Sequence, residues 1–198
     1  MECIKCKREY KRQECEFCIR EGKWNSLIKE SFIHSTFPPR IETDLLCLNL
    51  PEIEMWENSY LYGVVKSGKT IEACTMLLET KHFNYIYNQE ASYCFKNASD
   101  LLVEIKASYG KNVMDENQII EKYIAYDYLV LDDLGAERVT EWALQILYII
   151  INRRYEWEKE TIITSNFSLA ELAQNLGDDR IPSRIQRMCK QIKFNKPI

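Results

Sequence analysis

Apolar and polar positions alternate along this chain in two different periods, and the changes between them predict strands that alternate with helices. Residues 60–62 predict a short strand, and residues 161–164 predict a strand because they are rich in β-branched side chains. The continuous apolar run at 128–131 is typical of a strand that is buried on both faces. Apolar residues at helical spacing occur over residues 69–79, 99–109, 115–125 and 140–158. This alternation predicts an α/β fold, in which helices flank both faces of a parallel sheet.

Weaker patterns predict the remaining elements and the division of the chain. Residues 84–87 and 92–95 are candidate strands, and helices are expected from Ser168 and from Asp179. Residues 24–37 fit a short amphipathic helix, and Pro38 and Pro39 are expected to end it and begin an extended connector. We therefore expect a cysteine-rich module at 1–22, a helix and linker at 23–40, and an α/β domain at 41–198. The residues just before the connector are candidates to fold back onto that domain.

The charge and composition of the chain exclude several classes of protein. The net charge of −4 argues against a protein that coats nucleic acid with its whole surface. No apolar run reaches the length of a membrane span, and the N-terminus lacks the apolar core of a signal peptide, so a cytoplasmic protein is expected. After Asp179 the chain carries basic but no acidic side chains, which is typical of a solvated or interface face or of nucleic-acid binding: Arg180, Arg184, Arg187, Lys190, Lys193 and Lys196.

A glycine-rich loop follows the first apolar run and precedes a helix. Residues 63–70, GVVKSGKT, match the phosphate-loop pattern G-x-x-x-x-G-K-[ST]. Glycines let successive backbone N–H groups turn towards phosphate oxygens, and the following helix adds its positive end. Lys69 is expected to bridge the β- and γ-phosphates of ATP, and the Thr70 hydroxyl to ligate Mg²⁺. The predicted site for ATP or ADP consists of Gly63, Val64, Val65, Lys66, Ser67, Gly68, Lys69, Thr70 and Ile71.

Two carboxylates end the apolar strand at residues 128–131. Phosphoryl transfer needs a carboxylate near the metal and a group that orients the attacking water. Asp132 and Asp133 supply both, and the carboxyl ends of parallel strands are where open α/β sheets bind ligands. We assign Asp132 to Mg²⁺, through water, and Asp133 to polarising the water nucleophile. The alternative is a solvated strand end that happens to be acidic.

The stretch at residues 128–137, YLVLDDLGAE, resembles the Walker B region of the DnaC/DnaI helicase loaders and of IstB, an ATPase of certain transposons. These groups belong to the AAA+ ATPases, and the resemblance extends over residues 38–194. It implies a P-loop NTPase of the AAA+ type with little or no C-terminal lid, because only four residues follow Phe194. Asp133 stands where many AAA+ proteins have Glu. Loaders and IstB often have Asp there, which leaves open whether hydrolysis is slow.

The same resemblance implies roles for two further residues. Asn166, in the sequence Thr164-Ser165-Asn166, resembles the sensor 1 residue that contacts the γ-phosphate or the water, although a helix-start signal before Ser168 would look alike. Arg184 resembles the arginine finger that enters a neighbour's site, with Arg180 supporting that interface. The alternative for Arg184 is a surface arginine on an amphipathic helix.

Four of the eight cysteines lie in the first 18 residues, as two C-x-x-C pairs. Four thiolates satisfy tetrahedral Zn²⁺, so a structural zinc site is predicted, with a redox pair or an iron–sulfur cluster as alternatives. We interpret the module as a docking element for a protein partner, since DnaI-type loaders also carry an N-terminal zinc-binding region. The other four cysteines are expected to be buried apolar thiols. The zinc ligands would be Cys3, Cys6, Cys15 and Cys18.

The resemblance implies an ATP-dependent loader of a replicative helicase. Its partners would be the hexameric helicase, single-stranded DNA and neighbouring copies of itself that assemble on ATP binding, with no membrane. Its ATPase activity is expected to be weak until it assembles. The alternatives are a transposition ATPase of the IstB kind, or a nucleotide-gated adaptor with negligible turnover.

Overall fold

Parallel strands form the centre of the fold. The computed structural model describes residues 16–47, 57–108, 115–136 and 140–197. Within these residues one sheet holds five strands in the order β2-β3-β4-β1-β5, and every neighbouring pair is parallel. The predicted α/β class with a parallel sheet is therefore confirmed. The strands are β1 Ser59–Gly63, β2 Tyr93–Asn97, β3 Tyr128–Asp132, β4 Glu160–Ser165 and β5 Lys190–Phe194.

Short polar side chains cap the first turn of several helices. Asp115 and Ser168 each form a reciprocal capping box with the residue three positions on, and Thr140 accepts from the amide of Ala143. A π-helical turn, Trp24–Ile28, joins the first two helices. The helices are α1 Glu16–Lys23, α2 Lys29–Thr36, α3 Pro39–Cys47, α4 Lys69–Ile86, α5 Ala98–Ala107, α6 Glu116–Ala125, α7 Glu141–Glu156, α8 Leu169–Leu176 and α9 Arg180–Met188. None of these helices is long and apolar enough to cross a membrane.

The sheet separates two apolar cores, because successive side chains of a strand point to opposite faces. Leu129 and Leu131 of β3 pack with the buried residues of α5 to α9, whereas Val130 packs on the other face. That second core contains Trp24 and Ile33, together with buried residues of α3 and α4. The helices that precede β1 thus fold against the sheet, as the residues before the connector were expected to do.

Three expectations about local structure were wrong. Residues 84–87 are not a strand but the end of α4 and its C-cap, because Leu78, His82 and Ile86 recur every four residues on one buried face of that helix. The extended connector is also wrong: Pro39 begins α3, and a first helical position suits proline because its missing N–H has no partner there. α3 therefore spans residue 40, where the linker was expected to end. Finally, β5 was not predicted, because its side chains are exposed or half-buried and lack a continuous apolar run.

Arg154 of α7 is a fully buried cation that ties several elements together. Its guanidinium donates to the backbone oxygens of Tyr123, Ile124 and Tyr126 at distances of 3.0, 3.1 and 2.7 Å. It also reaches β4, where it donates to the Glu160 carbonyl and the Thr161 hydroxyl. Burial lowers the pKa of Arg154 to about 10, so the group stays charged at neutral pH. It satisfies backbone groups where α6 ends and β4 begins.

Replacing Arg154 with methionine should destabilise the fold by at least about 3 kcal/mol, because several buried oxygens lose their donor at once. Arg153 offers a matched control, since this neighbouring arginine forms a largely exposed ion pair with Glu121. Its replacement by methionine should change the free energy of unfolding by less than about 1 kcal/mol. Urea unfolding of the two variants measures both values. Equal losses would contradict the role given to Arg154.

Candidate nucleotide site

The phosphate loop leaves β1 and enters α4 with its lysine turned inward. Gly63, Lys66 and Gly68 have φ values of 132°, 62° and 89°, which curl the backbone as the sequence pattern requires. The buried Lys69 ammonium donates to the backbone oxygens of Gly63 at 3.1 Å and Val64 at 2.7 Å. Burial lowers the pKa of Lys69, and the two nearby carboxylates oppose that shift. The loop therefore encloses a cation where phosphate oxygens would lie.

The end of β5 closes the base of this loop. The Val64 amide donates to the Phe194 carbonyl at 3.1 Å. A Cβ atom on Gly63 would lie 2.1 Å from that same carbonyl oxygen, a distance at which the backbone would have to shift. Glycine is needed at position 63 both for this close approach and for its positive φ. The unpredicted strand thus supports the predicted loop.

Asp132 lies beside the Thr70 hydroxyl, as a shared metal site requires. Thr70 Oγ1 donates to Asp132 Oδ1 at 2.9 Å, and Thr164 Oγ1 donates to the same oxygen at 2.7 Å. Burial raises the pKa of Asp132, while these two hydrogen bonds favour its ionised form. A hydroxyl and a carboxylate are hard oxygen ligands, so this donor set fits Mg²⁺, which takes further ligands from water and phosphate.

Asp133 and Asn166 are also brought together. Asn166 Nδ2 donates to Asp133 Oδ1 at 3.1 Å, and Asp133 has a left-handed φ of 61°. Its amide donates to Thr164 Oγ1 at 2.9 Å, and the next amide, of Leu134, donates to the Thr164 carbonyl at 2.8 Å. The ends of β3 and β4 therefore assemble the two predicted residues into one hydrogen-bonded group.

Arg184 lies elsewhere, on α9. Its Nε donates to Asn152 Oδ1 at 2.6 Å, and its guanidinium lies 5.4 Å from the ring centroid of Tyr155. Both contacts are to α7, and neither is to residues 63–70. Arg180, one turn earlier, forms an ion pair with Asp178 and lies over the Tyr148 ring at 4.8 Å. The contacts of both arginines are thus with α7 and with Asp178, not with the phosphate loop.

The predicted zinc ligands Cys3, Cys6 and Cys15 lie outside the described residues. The fourth, Cys18, is half-buried on α1. Across the described ranges, no group of three or more His, Cys, Asp or Glu side chains could hold a metal ion. Of the other cysteines, Cys74 and Cys189 are buried as expected, Cys94 is half-buried, and the expectation was wrong for Cys47, which is exposed.

Comparison with known proteins decides the family. The profile of the family described as IstB-like ATP binding protein matches residues 23–194, which is most of the chain. The chain belongs to the IstB-like ATP-binding family.

Individual relatives of this IstB-like chain include helicase loaders. It is 28% identical over 114 residues to the replicative helicase loader DnaI of Bacillus subtilis (strain 168), which is 57% of this chain but only 34% of DnaI. The chain thus aligns with about a third of the length of that curated relative. A crystal structure of the DnaC helicase loader shares 26% identity at a TM-score of 0.56 and covers 93% of each chain. A DnaI crystal structure, at 21% identity and a TM-score of 0.54, shows the same fold.

Two features of the IstB-like site were missed from the sequence. Thr164 contacts Asp132, Asp133 and Leu134, yet the sequence indicated it only as a strand residue before Asn166, with no role of its own. Phe194 contacts the loop through its backbone, which carries no residue-type signal. The other site residues could be located from the sequence, because each follows closely after a predicted strand that positions it.

Proposed function

We propose that this chain is an ATP-dependent loader that delivers a replicative DNA helicase onto single-stranded DNA. The observation that carries the proposal is the similarity to the DnaC helicase loader over 93% of both chains. The similarity to DnaI, a replicative helicase loader, supports it. The helicase hexamer and single-stranded DNA would be its partners.

The residues of the site have distinct proposed roles. Lys69 would move from the loop carbonyls to the β- and γ-phosphates of ATP, and the amides of residues 63–68 would bind the phosphate oxygens. Thr70 would ligate Mg²⁺ directly, and Asp132 would hold a water in its coordination sphere. When bound, Mg²⁺ stabilises the negative charge that develops on the phosphate oxygens. Asp133 would accept a hydrogen bond from the attacking water. The hydrogen bond from Asn166 would hold the Asp133 carboxylate in place.

The nucleotide would act as an assembly switch. Arg184 contacts α7 rather than its own loop, so it would serve the site of a neighbouring subunit. An arginine supplied by a neighbour stabilises transition-state charge only when the subunits are in contact. Turnover would therefore be weak in the monomer and would rise on assembly with neighbouring copies, helicase or DNA.

We further propose that Cys3, Cys6, Cys15 and Cys18 bind one Zn²⁺ and form the docking element for the helicase. The proposal rests on the two C-x-x-C pairs. The chain offers a route from this element to the ATPase core, because α1, which carries Cys18, packs on α4 and the Arg20 guanidinium donates to the Ile86 carbonyl at 3.1 Å. α4, which begins at Lys69, thus ends at Ile86 against the helix that carries Cys18.

A transposition ATPase is the second candidate, favoured by the family name itself. Such a protein would act with a transposase, and its ATP turnover would respond to DNA and not to a helicase. A third candidate, a nucleotide-gated adaptor, would bind ATP and the helicase without measurable turnover.

A loading assay tests these functions. The hexameric helicase is mixed with circular single-stranded DNA, the chain and ATP, and the helicase bound to DNA is counted after separation on a sizing column. We expect bound helicase only when the chain and ATP are both present, and loss of helicase binding in the Cys3→Ser, Cys6→Ser double variant. Helicase capture that is unchanged in that variant would remove the docking role. No ATP-dependent loading by the wild-type chain would contradict the loader and leave the other two candidates.

A further inference from the structure

Thr164 contacts three consecutive residues at the end of β3. It is buried at the carboxyl end of β4, with 1% of its surface exposed. Its hydroxyl donates to Asp132 Oδ1 at 2.7 Å and accepts from the Asp133 amide at 2.9 Å. Its carbonyl accepts from the Leu134 amide at 2.8 Å. One residue of β4 therefore bonds to each of the three residues in the turn that carries the two acidic side chains.

The hydroxyl also determines which oxygen of Asp132 faces a ligand. Thr70 and Thr164 both donate to Oδ1, and within the described ranges no side chain donates to Oδ2. The carboxylate is thus held from one side, and Oδ2 is the oxygen left for a water on Mg²⁺. Thr70 would be occupied as a metal ligand when nucleotide binds, so Thr164 is the donor that remains dedicated to orientation.

Asp133 depends on the same hydroxyl through its backbone. Its φ of 61° is uncommon for a residue with a side chain and persists only where the surroundings hold it. The Thr164 hydroxyl accepts the amide at this strained position, while Asn166 holds the carboxylate. Removing the hydroxyl would leave this amide without its partner, and Thr70 as the one remaining side-chain donor to Asp132 Oδ1 among the described residues.

We propose that Thr164 is a positioning residue that orients Asp132 towards Mg²⁺ and holds Asp133 in its left-handed conformation. The proposal rests on the proposed function, since it requires that this site bind Mg²⁺ and ATP. Thr164 would act through its hydrogen bonds to the two aspartates.

Thr161 provides a matched control on the same strand. It is equally buried, with 1% exposed, and its hydroxyl also makes two hydrogen bonds, donating to the Lys159 carbonyl and accepting from Arg154. It lies at the start of β4, whereas the nucleotide site is at the strand's other end. A general effect of losing a buried hydroxyl would appear in both variants.

The experiment measures the affinity for a fluorescent ATP analogue with Mg²⁺ and again with EDTA in the variants Thr164→Val, Thr164→Ser and Thr161→Val. We expect Thr164→Val to lose about tenfold or more of the gain in affinity that Mg²⁺ gives, because a hydrogen bond to a charged group is lost. Affinity in EDTA should be unchanged. Thr164→Ser should keep the Mg²⁺ gain, and Thr161→Val should keep it even with a lowered melting temperature. If Thr164→Val does not fold, Thr164→Ala takes its place.

The outcomes distinguish the positioning role of Thr164 from the proposed function of the site. A full Mg²⁺ gain in Thr164→Val, or an equal loss in Thr164→Val and Thr161→Val, would overturn the positioning role and leave the proposed function standing. A wild-type chain whose ATP affinity does not depend on Mg²⁺ would overturn the proposed site itself.

Discussion

Replacing Lys69 with alanine should weaken ATP binding by at least about a hundredfold, because the ammonium would make charge-assisted hydrogen bonds to two phosphates. The same group donates to the loop carbonyls of Gly63 and Val64 and, at 3.5 Å, to the Ser67 hydroxyl. The substitution also removes the buried charge whose pKa burial lowers, so the fold should lose little stability. Titration with a fluorescent ATP analogue measures the affinity, and a thermal melt checks the fold.

An exposed lysine controls for the change in net charge. Lys106 lies in the last turn of α5, away from the loop, and Lys106→Ala should leave ATP affinity within about twofold. Lys69→Ala should also abolish helicase loading if loading depends on ATP. Loading that persists without ATP binding would contradict the switch, even if the chain were still a loader.

Replacing Arg184 with alanine should reduce ATP turnover by about 10³-fold or more without weakening ATP binding, provided that Arg184 completes a neighbour's site. Arg184 contacts Asn152 and Tyr155 of α7 and not its own loop, so its loss should leave the nucleotide contacts of its own subunit intact. Steady-state phosphate release under assembled conditions measures turnover. Arg187→Ala is the control, because Arg187 is exposed on the same helix and carries the same charge.

Mixing variants distinguishes action on a neighbour from action within one subunit. Arg184→Ala retains an intact water-orienting Asp133, and Asp133→Asn retains an intact Arg184. Combining two inactive variants should restore part of the turnover, because some interfaces then join an intact Asp133 to a neighbour's intact Arg184. If the mixture stays inactive while each variant still binds ATP and assembles, the arginine does not act between subunits.

Helix boundaries could be predicted from the sequence where an interaction between neighbouring residues determines them. The helices expected from residue 115 and from Ser168 begin at capping residues, which act on amides two or three residues away. Pro39 was misleading for the same local reason, since a proline that ends one helix and a proline that begins the next have the same signature. β5 had no local signature, because an exposed edge strand needs no apolar pattern.

The sequence by itself determined the α/β class, the phosphate loop and the residues of the candidate site from Lys69 to Asn166. Each of these residues lies next to a strand whose apolar run is visible in a short window, and parallel strands bring their carboxyl ends to one edge. Only the tertiary structure decided how those residues are held. Thr164 orients Asp132 across two strands that are paired in space, and Phe194 supports Gly63 from the far end of the chain. Such contacts depend on strand order and register. Both are set when the two faces of the sheet are buried, so no local sequence pattern encodes them.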